Sequence, residues 1–92
     1  MKYFLKYRHE AEKDLEETKN YYADISQAVV ENFFAEFFET VSFIQQEPTL
    51  FQIRYRKIRI APMYRFPYGV HYIIKKDEIV ILRVLHYKRY FK

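Results

Sequence analysis

Hydrophobic side chains in the first half of the chain recur every three to four residues, which is the spacing of one helix face. Acidic side chains crowd the start of this segment, where negative charge favours the positive end of the helix dipole. The pattern predicts a first helix over about residues 9–24. Its apolar face would be formed by Ala11, Leu15, Thr18 and Tyr22.

A second helix is predicted from Ser26 to about Gln46. Ser26 is a favourable N-cap because its hydroxyl can accept a hydrogen bond from a backbone N–H of the first turn, and Pro48 disfavours helical backbone at the residue before it. The apolar stripe consists of Val30, Phe33, Phe34, Phe37, Phe38, Val41 and Ile44. Core packing is the expected use of this stripe. Because it is wide, some of its rings, with Tyr21 and Tyr22, could instead serve a partner or self-association surface.

After Pro48 the hydrophobic period changes to two, which is typical of β-strands. Strands are predicted over about residues 1–7, 52–60, 70–75 and 78–86. The isoleucines of the second strand change phase, which predicts either a bulge near Arg56-Lys57 or a strand that begins later than it appears. Lys76-Asp77 is the expected turn between the last two strands.

The order of these elements is strand, helix, helix and then three strands. It predicts an α+β fold in which a helical hairpin packs on a small, largely antiparallel sheet. A length of 92 residues predicts a single domain, residues 1–92.

The composition excludes several classes of protein. Without Cys, disulfides, thiolate nucleophiles and Cys-based zinc sites are absent, and the cytoplasm is the expected compartment. No run approaches the roughly 18 apolar residues of a membrane span, so we expect no membrane partner. One Gly leaves no Gly-rich phosphate loop, and His9, His71 and His86 fall in three different elements. We therefore expect neither a cofactor nor a metal site.

The charge of the chain is divided unevenly between its halves. Residues 1–47 hold five Lys and Arg against ten Asp and Glu, a net charge of −5, whereas residues 48–92 hold eleven against two, a net charge of +9. Two interpretations remain open. The second half forms a basic face for an acidic partner, or the opposite charges partly pair within the fold.

The candidate chemistry lies in the basic second half. Its residues are Arg54, Arg56, Lys57, Arg59, Arg65, Arg83, His86, Tyr87, Lys88 and Arg89. Arginine forks match phosphate or carboxylate, so this cluster could bind nucleic acid, or stabilise phosphodiester cleavage with His86 as proton carrier. It could also be a solubilising surface. Lys57 and Arg59 are expected to project from one sheet face, and Arg83 is a candidate for a structural ion pair with a helical carboxylate.

Several motifs in this order point to one family. They are Asp14-Leu15-Glu16 before Tyr21-Tyr22, Glu47-Pro48-x-x-Phe51, Ile58-Arg59, Arg65-Phe66-Pro67-Tyr68 with Tyr72, and the run from Ile79 to His86 followed by Arg89. Together they resemble the RelE/ParE superfamily of bacterial type II toxin–antitoxin toxins, and within it the ParE-like, plasmid stabilisation branch.

The resemblance implies a toxin that a cognate antitoxin neutralises. ParE-like members act on DNA gyrase, and RelE-like members are ribosome-dependent mRNA endonucleases (mRNA interferases). Lys57 and Arg59 match basic residues on the second strand of those nucleases, and Arg89 matches the basic residue after the last strand. Where the nucleases carry an Arg early in the third strand, this chain has Gly69, and Arg65 is the nearest substitute.

Gyrase inhibition is therefore the leading hypothesis, and its expected target-binding residues are Lys57, Arg59, Arg65, Tyr68, Tyr87, Lys88 and Arg89. The nuclease alternative requires Arg59, Arg65, His86 and Arg89 to form one catalytic site. A non-toxic nucleic-acid-binding member is the third hypothesis. The expected partners are the antitoxin and either gyrase or the ribosome with mRNA, in a homodimer or a toxin–antitoxin hetero-oligomer.

Overall fold

The computed structural model describes residues 3–90, and for residues 89 and 90 it describes the backbone only. Its elements are β1 (Phe4–Tyr7), α1 (His9–Ala23), α2 (Gln27–Gln46), β2 (Ile53–Tyr55), β3 (Ile58–Pro62), β4 (Tyr68–Lys75), β5 (Glu78–His86) and the short α3 (Tyr87–Tyr90). Ser26 caps α2 as predicted, since its Oγ accepts a hydrogen bond of 3.1 Å from the Val29 N–H. Within residues 3–90, no helix has both the length and the apolar character needed to cross a bilayer.

The strands form one sheet in the order β1-β5-β4-β3-β2. β1 pairs with β5 in parallel, and the remaining neighbours are antiparallel. The predicted α+β architecture is confirmed. We call the face covered by α1 and α2 the inner face, and the opposite face the outer face.

The predicted single strand over residues 52–60 is wrong, because the chain reverses there. Arg56 has φ 52°, and this left-handed conformation turns the chain between β2 and β3, so four strands follow the helices rather than three. The left-handed region costs an L-residue roughly 1–2 kcal/mol. The phase change of the isoleucines marks this turn. Of its two interpretations, the later strand start agrees with β3, which begins at Ile58, whereas neither interpretation included the turn.

The predicted helix faces form the core against the inner face of the sheet. Five members of the α2 stripe are buried: Val30, Phe33, Phe37, Val41 and Ile44. Four of them, all except Val30, belong to one hydrophobic cluster with Tyr72 and Ile81 of the sheet. Phe38, by contrast, is 58% exposed, so the stripe is narrower than the sequence predicts.

A buried carboxylate fastens α1 to the sheet. Asp14 is 8% exposed and accepts hydrogen bonds from Arg83 Nε (2.8 Å), Arg83 Nη2 (3.0 Å) and the Val84 N–H (2.9 Å). The register between β5 and β4 shifts next to this point, and such an irregularity leaves backbone groups without a partner in the sheet. The Asp14 carboxylate accepts the hydrogen bond of one such group, the Val84 N–H. The structural ion pair expected for Arg83 is therefore confirmed, with Asp14 as its partner.

Candidate functional site

Arg59 contributes to the structure of a loop. It is half-buried on β3, and its Nη1 donates to the carbonyl oxygens of Phe51 (2.6 Å) and Thr49 (3.4 Å). Cross-strand partners share a face, which places Arg59 beside Tyr72 of β4. The Tyr72 hydroxyl donates to the Pro48 carbonyl at 2.7 Å. Both side chains thus hold the segment between α2 and β2.

Lys57 lies elsewhere. It is exposed in the turn before β3 and lines a groove on the outer face together with Ile58. The expectation that Lys57 and Arg59 project together is wrong, because strand alternation does not extend into the turn.

Arg65 is exposed on the β3–β4 loop, and its position is set by a carboxylate of α2. Glu36, 7% exposed, accepts hydrogen bonds from the backbone N–H of Tyr64 (2.8 Å) and of Arg65 (3.1 Å to each oxygen). A charge-assisted clamp of this kind gives the loop a defined shape. It presents Tyr64, 86% exposed, and the Arg65 side chain to solvent.

His86 is the last residue of β5. Its Nδ1 accepts a hydrogen bond from the Lys88 N–H at 3.1 Å, which places the proton of the neutral ring on Nε2. The ring meets that of Tyr68 edge-on, with centroids 5.1 Å apart.

Tyr68 is a core residue. It is 1% exposed and its ring also contacts Phe33 and Tyr22. The expected target-binding role of Tyr68 is therefore wrong for this fold, because no surface of the side chain is available to a target.

Tyr87 occupies the space above Gly69. A Cβ at Gly69 would lie 2.9 Å from Ile60 Cγ2, closer than Cβ atoms approach other side chains, and 3.1 Å from Tyr87 Cε1, which is a tight contact. The Tyr87 N–H donates to the Pro67 carbonyl at 2.8 Å, which fixes the start of α3. Burial raises the pKa of the Tyr87 phenol, and the Arg54 charge lowers it by a smaller amount.

The remaining two candidates lie in α3. Lys88 is exposed. Arg89 belongs to α3 by its backbone, but its side chain lies outside the described residues.

The three nuclease candidates whose side chains are described, Arg59, Arg65 and His86, do not meet at one point in this structure. Arg59 is opposite Tyr72 and His86 is opposite Tyr68, so four residues of β4, roughly 13 Å along the strand, separate them. Arg65 lies beyond the His86 end of the sheet, on the loop that leads into β4. His86 and Arg65 share one end of the sheet, and Arg59 is held away from it.

His71 and Tyr55 form a polar contact on the outer face of the sheet. His71 is 1% exposed, and its Nδ1 is 3.2 Å from the Tyr55 hydroxyl. Burial, aided by the Arg83 charge and opposed by Asp14, lowers the pKa of His71 to about 4. His71 is thus neutral at pH 7.

On the inner face, burial raises the pKa of the Tyr72 phenol to about 12. Residues 3–90 contain no cluster of three His, Cys, Asp or Glu side chains that could hold a metal ion.

The sequence was compared with models of known protein families. The model described as the ParE toxin of the type II toxin–antitoxin system parDE matches residues 5–91. The chain belongs to the ParE toxin family. A comparison with curated protein sequences found no match.

Two solved structures share the fold of this ParE-family chain. The chromosomal ParDE toxin–antitoxin system from P. aeruginosa matches with a TM-score of 0.80 and 23% identity, over 91% of this chain and 95% of that one. The E. coli DinJ-YafQ toxin–antitoxin complex matches with a TM-score of 0.68 and 10% identity, over 100% of both chains. At these identities the likeness shows the fold, and it confirms the RelE/ParE architecture implied by the motifs.

Two features of the ParE-family chain escaped the sequence analysis. Glu36 lies within the apolar stripe of α2, three residues after Phe33, and a carboxylate at such a position signals a buried polar partner. The Tyr55–His71 contact had no comparable signal, because it depends on the β2–β3 turn.

Proposed function

We propose that this ParE-family chain arrests growth by binding and inhibiting DNA gyrase. The proposed contact residues are Lys57, Arg65, Tyr87, Lys88 and Arg89. They are the predicted target-binding set without the buried Tyr68 and without Arg59, whose guanidinium is bound to the loop before β2. The basic second half of the chain supports this proposal, since it supplies charge for association with an acidic surface.

The observation that carries the preference for binding over catalysis is the position of Arg59. A phosphodiester nuclease needs its cations and its proton carrier at one phosphate. Here the Arg59 guanidinium donates to the Phe51 carbonyl, and its strand position is distant from His86. Gly69 has no side chain and therefore supplies no cation. Ile60 and Tyr87 occupy the space that a side chain at this position would need.

We also infer that the chain works in the cytoplasm with a cognate antitoxin polypeptide that neutralises it. The support is family membership and the toxin–antitoxin systems to which both structural neighbours belong. The toxin–antitoxin hetero-oligomer is the assembly that this partnership implies, and a homodimer of the free toxin is the alternative.

Pulse labelling of bacterial cells after tightly controlled induction tests the target. DNA synthesis should fall before protein synthesis, and purified toxin should inhibit gyrase-catalysed supercoiling. The double variant Arg65→Ala/Lys88→Ala should weaken both effects. Lys13→Ala/Lys19→Ala is the matched control, because it removes the same charge from exposed positions of α1. Equal behaviour of the two double variants would contradict the proposed contact surface.

The mRNA endonuclease remains the second candidate, because Arg65 and His86 share one end of the sheet and the fold is similar to that of the DinJ-YafQ complex. It predicts that protein synthesis falls first, and that Arg65→Ala or His86→Gln abolishes ribosome-dependent cleavage. A non-toxic nucleic-acid-binding member would instead cause no growth defect, and its affinity would fall steeply with salt.

A further inference from the structure

The loop between β3 and β4, residues 63–67, carries the most exposed aromatic ring among the side chains that the structure describes. Tyr64 is 86% exposed, whereas no other large hydrophobic side chain described here exceeds 61%. Arg65 follows it and is exposed as well. We call Tyr64 and Arg65 together the tip. A ring exposed to this extent buries little apolar area, so it contributes little to the stability of the fold.

The loop that carries the tip is held on both sides. Before the tip, Met63 is 4% exposed and its N–H donates to the Tyr68 carbonyl at 2.9 Å. After the tip, the Phe66 carbonyl accepts a hydrogen bond of 2.8 Å from the Tyr68 N–H. The Phe66 ring also packs on that of Phe33, with centroids 5.2 Å apart. Tyr64 is therefore exposed on a loop that hydrogen bonds and core contacts hold in place.

A buried carboxylate holds the backbone of the tip itself. Glu36 lies in α2, is 7% exposed and accepts three hydrogen bonds from the backbone N–H groups of Tyr64 and Arg65. Burying a carboxylate costs free energy, and the donors that offset this cost belong to the two residues of the tip. The fold thus uses a buried charge to fix two residues whose side chains it leaves in solvent.

A small apolar cavity of about 210 Å³ opens beside the Tyr64 ring. Phe43, Phe51 and Pro62 supply its apolar walls, and Phe43 is itself 43% exposed. Tyr and Arg are among the residue types that dominate binding at protein–protein interfaces, which combine an apolar centre with a polar rim. Tyr64 and the cavity have the composition of such a centre, and Arg65 lies next to it.

The charge around the cavity indicates the class of partner. Its lining includes the carboxylates of Glu36 and Glu39, and no Lys or Arg is among the described residues that line it. Within residues 3–90 neither carboxylate forms an ion pair. Carboxylates beside the rings repel a phosphate backbone. The cavity therefore fits a protein surface better than it fits a nucleic acid.

We propose that Tyr64 is a contact residue for gyrase at the apolar centre of the target-binding surface, and that Glu36 is the positioning residue that holds the tip. This role rests on the proposed gyrase inhibition, and Arg65 connects the two because it belongs to the proposed contact set. Tyr64 and the cavity add an aromatic centre to a surface otherwise defined by its cations. A tip that is fixed before binding loses less conformational entropy when the complex forms.

Inhibition of gyrase-catalysed supercoiling by the purified full chain tests the role of Tyr64. Tyr64→Ala should raise the concentration needed for half-inhibition by about tenfold or more, the effect typical of an aromatic residue at the centre of an interface. Tyr21→Ala is the matched control, because it removes the same atoms from a tyrosine of α1 that is 56% exposed. It should inhibit as the native chain does. Both variants should keep the thermal midpoint of the native chain, since both rings are largely exposed.

A second comparison separates positioning by Glu36 from a contribution to stability. Glu36→Gln removes the charge and leaves one acceptor oxygen in place of two. Amide exchange at Tyr64 and Arg65 should therefore accelerate, and inhibition should weaken by about threefold to tenfold. In the Tyr64→Ala background the same substitution should have a smaller effect, because one of the two side chains that it positions is gone. Glu36→Asp, which keeps the charge on a shorter side chain, provides the same comparison if Glu36→Gln fails to fold.

The outcomes distinguish this role from the proposed function. If the native chain inhibits gyrase and Tyr64→Ala inhibits equally well, the proposed function stands and the role of Tyr64 is overturned. If the Glu36 substitution weakens inhibition by the same factor in both backgrounds, Glu36 acts on stability alone and its positioning role is overturned. If the native chain does not inhibit gyrase, the proposed function fails and the role of Tyr64 fails with it.

Discussion

The inner and outer faces of the sheet differ in how they use large side chains. At the inner face, Phe33 and Phe37 of α2 and Tyr72 of β4 are 0% exposed and belong to one hydrophobic cluster. On the outer face, Tyr55 is 46% exposed, and the adjacent turn holds Arg56 in a strained conformation. The inner face therefore stabilises the fold by burying aromatic side chains. Beside the outer face, the left-handed backbone of Arg56 costs some stability, and the residue held there is an exposed cation.

Replacing one aromatic ring of α2 should destabilise the core between the helices and the inner face. Phe37→Ala removes a side chain that is 0% exposed and should lower the free energy of unfolding by about 3–5 kcal/mol. Phe38→Ala, one residue along and 58% exposed, is the matched control and should cost less than about 1 kcal/mol. Urea unfolding measures both. Similar losses would show that α2 packs in a different rotation from the one described.

Lowering the pH should reduce the free energy of unfolding, because the imidazole of His71 is buried on the outer face. The pKa of His71 is about 4 in the folded chain and near 6.5 when unfolded, so the unfolded chain binds more protons between these values. Stability is then full above pH 6.5 and falls as the pH drops towards 4, by roughly 3 kcal/mol in all. Unfolding free energies from pH 7 to pH 4 measure this loss. His71→Gln should have a flatter profile than the native chain, and parallel profiles would assign the loss to the carboxylates.

Adding one methyl group tests the contact between the outer face and α3. Gly69→Ala places a Cβ against Ile60 and Tyr87 and should cost about 1–3 kcal/mol, as overpacking does. The double variant Gly69→Ala/Tyr87→Ala should lose less than the sum of the two single variants, because it removes part of the clash. Thermal unfolding of the four chains completes the cycle. Strict additivity would mean that Tyr87 does not lie over Gly69.

The sequence predicted those parts of the fold that depend on local chemistry. The Ser26 cap and the α2 stripe were recognised because capping and helical spacing act within a few residues. The turn at Arg56 was missed because Arg is not a residue that signals left-handed backbone.

The candidate site was harder to predict, since its members are defined by contacts between distant segments. Tyr68 has the composition of a binding residue, yet three rings and the strand register bury it. Arg59 has the composition of a catalytic cation, yet a loop eight residues earlier in the chain uses its guanidinium. Neither outcome can be read from residue type or spacing, because both depend on where the chain returns.

The parallel pairing of β1 with β5 also determines how early in synthesis the sheet can form. β1 is translated before both long helices, but its partner strand follows them and the other three strands, and the Asp14–Arg83 link joins residues 69 positions apart. Such long-range pairings form late, because the loop between them must close before they stabilise anything. A chain that stops before β5 therefore cannot complete the sheet, and during synthesis the finished fold must wait until β5 has left the ribosome.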